Sequence, residues 1–431
     1  EKNVRAMEDK KYMFSVGNEA YKMYEKAPEN IQSLFPMKNG VIARFDDMQY
    51  LLGSLLKTDH QFARGAEYVI AVPTDVTEVE KKAFYDLWKI CFGDSDAFCD
   101  WFFRNRFAPD YSVVLETEGK IVSCMQAFPY TLWIRGREIP GAMLCGVSTH
   151  PDYRKKGYMG QIFTYEMKLL REKGCLVAPH TPAVLQSYFP FGHFPVADAA
   201  YLTCDGMCAT KGNVTLTPVT ELDSLFPLYT AAAKKYSGMV LRTKEDFLRK
   251  AADYAADGGK CAAYIRNNEI KGYAFYYKTE TELTCVEAVA DEKGYPMLME
   301  GLRKEADGLI FSAKLPPEME LPFAKTERKQ KGVMGLCNAS ALLQALQLEL
   351  PYAFRLTDAV IPENNGVFNF RGKPSAEAPV FEISAGHLLQ VLVGYHSFAE
   401  IRNELKIFDE EKYKELDAFL PKQKCYIIDE Y

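Results

Sequence analysis

The run Val147-Ser-Thr-His-Pro-Asp-Tyr-Arg-Lys-Lys-Gly-Tyr-Met-Gly160 holds the densest set of residues that could bind a charged ligand. An apolar strand ends at Thr149, a turn at Pro151 and Asp152 follows, and a basic loop opens a helix. A helix N-terminus presents unpaired N–H groups and the positive end of its dipole, so it can hold a diphosphate. Arg154, Lys155 and Lys156 add positive charge at the rim, and Gly157 lets a ligand approach the backbone closely. The run matches neither GxxxxGK[ST] nor GxGxxG, which argues against an ATPase and a dinucleotide enzyme. A second element, Tyr188-Phe-Pro-Phe-Gly192-His193-Phe194, offers a phenol of pKa about 10 that can donate a proton or a hydrogen bond.

The surrounding elements read as α/β with mixed sheets. Thr77 to Glu80 matches a capping box, ahead of an apolar face of Phe84, Leu87, Trp88 and Cys91. A helix over Asp96 to Arg106 follows, then strands at Tyr111 to Glu116 and Ile121 to Tyr130 around the turn Glu118-Gly119-Lys120. Gly141 to Thr149 is a strand, Gly157 to Lys173 a helix ending at Gly174, and Cys175 to Ala178 a buried strand. Residues 206–328 repeat this order without a basic loop, since Ala290 to Pro296 has no RxxGxG. A charged, Pro-rich linker is expected over Leu315 to Lys331. Helices at Ala339 to Leu346 and Gly386 to Leu392, with strands between, complete the chain. Residues 1–67 read as short helices broken at Pro28 and Pro36, with a helical pattern over Asp46 to Leu56.

At about 150 residues per domain, 431 residues make roughly three domains. With 48% hydrophobic and 26% charged residues the chain can fill more than one core, which excludes disorder as its main state. A net charge of -6 argues against nucleic acid as a partner. The 11 cysteines stand mostly alone and form neither a disulfide framework nor a zinc site, so reduced thiols in a cytoplasm and no metal are expected. Glu1 to Lys11 is charged and lacks the apolar core of a signal peptide, and no run approaches the ~20 residues of a membrane span.

Arg154-x-x-Gly157-x-Met159 after a strand, with Tyr188-x-x-x-Gly192 about thirty residues on, resembles the GNAT superfamily of acetyl-CoA-dependent N-acetyltransferases. Met159 stands where the usual motif has a small residue, which is similar to the enhanced intracellular survival (Eis) branch. Leu87-Trp-Lys-Ile-Cys-Phe-Gly-Asp94, Tyr111-Ser-Val-Val114 and Gly146-Val-Ser-Thr-His-Pro151 resemble the first domain of such proteins. Asn364-Asn-Gly-Val-Phe-Asn-Phe370 and Gly386 to Tyr395 resemble their third. The resemblance implies a catalytic GNAT domain over 68–205, a degenerate GNAT-like domain over 206–328 and a sterol-carrier-protein-like domain over 329–431. Residues 1–67 remain an N-terminal extension without a functional account.

By the same resemblance, the backbone of Val147, Ser148 and Thr149 pairs with the pantetheine arm of acetyl-CoA. Arg154, Lys155, Lys156, Gly157, Tyr158, Met159 and Gly160 hold its pyrophosphate. Ala183 and Val184 are either a further cofactor contact or wall residues. Tyr188 is the acid that assists the leaving thiolate. Tyr431 supplies a carboxylate that binds and orients the amine first and accepts its proton second, with His180 and His193 as rival bases and a frayed tail as the alternative. The expected reaction is acetyl transfer to a primary amine of a small cationic substrate, such as an aminoglycoside or polyamine, without nucleic acid or membrane partners. A protein lysine acetyltransferase and a non-catalytic acyl-CoA or lipid binder are the alternatives. The resemblance implies a homo-oligomer, a hexamer.

Overall fold

The structure is a computed structural model that describes residues 78–205 and 214–430, and within 1–77 only five short strands. These are β1 (Asn3–Ala6), β2 (Met13–Ser15), β3 (Ile31–Leu34), β4 (Met37–Lys38) and β5 (Val41–Ile42). They form a three-stranded sheet of order β2-β1-β3 and a separate β4-β5 pair. At these positions strands stand where the sequence reads as short helices. The expected helix over Asp46 to Leu56 and the cap at Thr77 lie outside the described residues.

The chain divides into two compact units. The first comprises Glu1–Cys91, Ala108–Cys124 and Ser148–Ile162. It contains most of α1 (Glu78–Phe92), whose Phe84, Leu87 and Trp88 are buried at helical spacing as the sequence predicts. It also contains β6 (Ser112–Thr117) and the beginning of β7 (Lys120–Ile134), joined through Glu118 and Gly119 in left-handed conformation.

The second unit comprises Phe92–Phe107, Met125–Val147 and Phe163–Tyr431. Helix α2 (Asp96–Asn105) is capped by Ser95, which accepts from Phe98 N. Strand β8 (Arg137–Thr149) precedes α3 (Tyr158–Glu172), β9 (Val177–His180) and β10 (Phe194–Cys204). The middle of the chain supplies β11 (Thr217–Pro218), α4 (Phe226–Ala233), β12 (Met239–Leu241), α5 (Lys244–Ala256), β13 (Lys260–Arg266), β14 (Glu269–Lys278) and β15 (Glu282–Ala290). It then continues through α6 (Gly294–Ala306) and β16 (Ile310–Leu315). Thr243 and Asp246 close a full capping box on α5.

The expected linker is in part a strand. Residues Lys325–Leu336 form β17, which pairs antiparallel with β10 on one side and β9 on the other. Its first half, through Gln330, is largely exposed and its second half buried, so the charged residues sit on an open stretch of sheet. Pairing of the charged stretch with β10 outweighs the weak local propensity of Lys and Glu for strands, and β9 pairs with the apolar end, Val333 to Leu336. The twelve-stranded sheet runs β11-β13-β14-β15-β16-β10-β17-β9-β8-β7-β12, with β6 paired to β7.

The last section has the sheet β19-β18-β20-β21, from β18 (Ala353–Thr357), β19 (Gly366–Asn369), β20 (Phe381–Ser384) and β21 (Lys406–Ile407). Helices α7 (Ala339–Leu346) and α8 (Ala385–Val393) accompany it. Buried rings of Phe354, Phe370, Phe381 and Phe398 fill its interior, with Phe354 and Phe381 stacked at 5.7 Å. Arg135 donates to the carbonyls of Leu392 (2.7 Å) and Val391 (3.0 Å), capping the C-terminus of α8. No helix among the described residues is long and apolar enough to cross a membrane.

Candidate active site

In the first unit the basic loop has the geometry of an anion cradle. A 3-10 turn at Pro151–Tyr153 leads out of β8, and His150 N donates to Val122 O at 2.9 Å to fix the strand end. Arg154, Lys155, Lys156 and Gly157 are exposed, while Tyr158 at the start of α3 is buried. Lys155 (φ 64) and Gly157 (φ 82) are both left-handed. A side chain at 157 would be strained by this φ, though a Cβ there meets nothing within 4 Å. Arg154 Nε donates to Thr149 O at 3.2 Å, which ties the rim of the loop to the strand. Ser123 Oγ donates to Ser148 O at 2.7 Å and lies 2.8 Å from Thr149 Oγ1. Met159 and Gly160 are half-buried in the first turn of α3.

Two features of β8 prepare this strand end. Its parallel pairing with β9 registers at Gly141 with Val177, although β8 runs on through Val147. Gly146 adopts φ 64 in mid-strand, the mark of a bulge that re-aims the residues after it. An isolated glycine inside a strand pattern is the signal in the sequence for this feature.

Tyr188 belongs to the second unit, on a 3-10 turn spanning Leu185–Phe191 that closes at Gly192. His193 N donates to Tyr188 O at 3.3 Å. The Tyr188 ring packs edge-on against His180 at 4.3 Å between centroids and lies 5.5 Å from Phe163. Burial raises the Tyr188 phenol to about 12. Ala183 and Val184 are exposed immediately before the turn, and Ser187 N donates to Val184 O.

The two rival bases form a pair. The rings of His180 and His193 lie 5.1 Å apart, with His193 also against Phe163 at 4.8 Å. Both are buried, and none of their four ring nitrogens has a hydrogen-bond partner among the described residues. Burial lowers His180 to about 3, and burial together with His180 holds His193 well below its usual value. Both are neutral at physiological pH, and a base this weak takes little from an amine of pKa ~10.

Tyr431 lies outside the described residues, but the chain before it is not frayed. Cys425 to Asp429 are buried, and Tyr426 and Ile428 belong to a core with α4, α5 and β13 to β15. Burying Ile427 and Ile428 contributes about 2 kcal/mol each. Among the described residues no cluster of three or more His, Cys, Asp or Glu is placed to hold a metal, and the described cysteines are free.

Comparison with known proteins agrees with this architecture. Residues 73–196 match the acetyltransferase (GNAT) domain family and residues 339–428 the sterol carrier protein domain family. Residues 1–95 match the MreB/Mbl protein family, overlapping the first match over 73–95. No curated protein matches the sequence. Among solved structures, a GCN5-related N-acetyltransferase from Anabaena variabilis superposes with a TM-score of 0.70 at 14% identity, covering 83% of this chain and 99% of that one. A conserved protein of unknown function from Enterococcus faecalis, described as a probable N-acyltransferase, gives 0.69 at 18% identity, covering 83% and 98%. Eis1 from Mycobacterium abscessus gives 0.67 at 14% identity, covering 82% and 98%. The chain thus carries a GNAT acetyltransferase domain over residues 73–196 and a sterol carrier protein domain over residues 339–428.

Proposed function

We propose that the protein is an acetyl-CoA-dependent N-acetyltransferase of the Eis type acting on a primary amine of a small cationic substrate. The observation that carries this reading is the exposed basic loop from Arg154 to Gly157 at the start of α3, in which Lys155 and Gly157 are left-handed. In this reading the loop holds the donor's pyrophosphate, and Val147 to Thr149 line its pantetheine arm. Tyr188 stabilises the departing thiolate, and Tyr431 binds the acceptor amine. With the phenol at about 12 and a thiol near ~8.5, complete proton transfer is uphill by about 5 kcal/mol. Hydrogen-bond donation to the developing charge therefore describes Tyr188 better than full protonation. The amine's proton leaves to water or to the Tyr431 carboxylate, since the histidines are too weakly basic.

The reading is tested by thiol release from acetyl-CoA against a panel of aminoglycosides, polyamines and lysine peptides. Absence of amine-dependent thiol release across the panel would sink it. The loop assignment has its own test in calorimetry. Arg154→Ala combined with Lys155→Ala removes charge-assisted phosphate contacts, each on the order of 1.5–3 kcal/mol, so CoA affinity falls at least roughly tenfold. Gly157→Val adds backbone strain and acts in the same direction. Wild-type protein binds one CoA per chain, because the turn before α6 lacks the basic loop. Unchanged affinity in the loop variants, or two sites per chain, contradicts the assignment.

A further inference from the structure

The chain end is held by four basic side chains, Arg242, Lys250, Lys314 and Lys331. Arg242, just after β12, donates through Nε to Asp429 Oδ1 at 2.9 Å. Its two other nitrogens grip Glu287 of β15 at 3.0 and 2.8 Å. Lys250 of α5 donates to Glu430 O at 2.7 Å. Lys314 of β16 donates to Ile428 O at 2.8 Å and to Glu430 Oε1 at 2.7 Å, and Lys331 of β17 lies 3.0 Å from the same oxygen. Upstream, Ser237 N donates to Lys424 O and Tyr426 N to Ser237 O, so the tail enters as an added strand segment.

Apolar burial of Tyr426, Ile427 and Ile428 is enough to retain the tail. A buried ion network adds little net stability, because desolvation offsets attraction; what it adds is a unique register. A slip by one residue would bring Ile428 to the position of Asp429 and leave Arg242 facing an apolar side chain. Lys250 grips the carbonyl of residue 430, the last backbone atom before the peptide to Tyr431. This is a device for fixing where the chain end points.

We infer that the middle section, residues 206–328, is the receptor for the chain's own acidic end, and that Arg242, Lys250 and Lys314 are positioning residues for the amine-transfer step. This assigns a task to the section that lacks a phosphate loop. It rests on the reading that Tyr431 takes part in amine binding, and it adds the groups that place it.

The test uses the full chain with Lys250→Met, Lys314→Met and Lys314→Arg. Hydrogen exchange at 426–430 should lose protection at least tenfold in the Met variants, with other regions unchanged. In the same proteins kcat/KM for the amine should fall at least tenfold while CoA affinity by calorimetry stays the same, and Lys314→Arg should recover most of the loss. Unaltered exchange at 426–430 overturns the receptor assignment. Faster exchange with normal amine kinetics overturns the positioning role, as does a loss of amine turnover matched by an equal loss of CoA affinity. If the wild type turns over no amine, the transferase reading fails while the exchange experiment still decides whether the tail is received.

Discussion

Tyr188→Phe lowers kcat by roughly 10²–10³-fold while leaving CoA affinity within about twofold. The substitution keeps the ring that packs on His180 and Phe163 and removes only the hydroxyl, so the turn from Leu185 to Phe191 is preserved. What is lost is a donor aimed at charge that exists only as the thioester breaks, and such a loss appears in kcat rather than in ground-state binding. The pH dependence gives a second readout. A phenol raised to about 12 stays protonated across the working range, so the wild-type rate should show no alkaline decline below about pH 11 from this group. Stopped-flow thiol release, combined with CoA titration of the same variant, measures both quantities. Near-normal turnover with unchanged melting behaviour would make Tyr188 a packing residue.

The loop and the turn were legible because each is local. Basic residues, a glycine and a helix start occupy fourteen consecutive positions, and the signal needs no tertiary partner. The helices Glu78–Phe92 and Tyr158–Glu172 were legible for a similar reason, through apolar spacing and a glycine after the second. Strand β17 was not, because the charged run from Lys325 to Lys331 satisfies a surface linker as well as an exposed half-strand. Only its pairing with β10 and β9 separates the two. The partners of the chain end were hidden likewise: Arg242, Lys250, Glu287 and Lys314 are scattered over 73 positions, and nothing in their spacing ties them to Asp429 and Glu430. The histidine pair shows the opposite limit. Both residues were visible as candidate bases, but burial, which a sequence does not display, removes their basicity.

That burial has a consequence for stability in mild acid. In the unfolded chain His180 titrates at its ordinary 6.5, and in the folded chain it is lowered to about 3. Between these values the unfolded state binds the extra proton, so stability is full above about pH 6.5 and falls as pH drops toward 3. At pH 5 the loss from one such histidine is about 2 kcal/mol, from 1.4 kcal/mol per unit over the interval below 6.5. His193, also held well below its usual value by burial and by His180, acts in the same direction. The His180 loss alone is a sizeable share of a typical folding free energy of roughly 5–15 kcal/mol. Carboxylates add a separate slope at lower pH: Lys314 and Lys331 outweigh burial and hold Glu430 down at about 2, so its contribution is present above 4.5 and fades only below that. Its side chain is 42% exposed, and solvent screening keeps that part small. Thermal or urea melts from pH 8 to pH 5 should therefore lose stability steeply between pH 6.5 and 5. His180→Asn and His193→Asn, neutral at every pH, should each flatten that segment, and the double variant should flatten it most. The flattening should appear even if either substitution lowers stability at pH 8, because it is read from the slope. A slope unchanged in the double variant would show that the pair is solvated or already charged in the native protein, and would restore His180 and His193 as candidate bases.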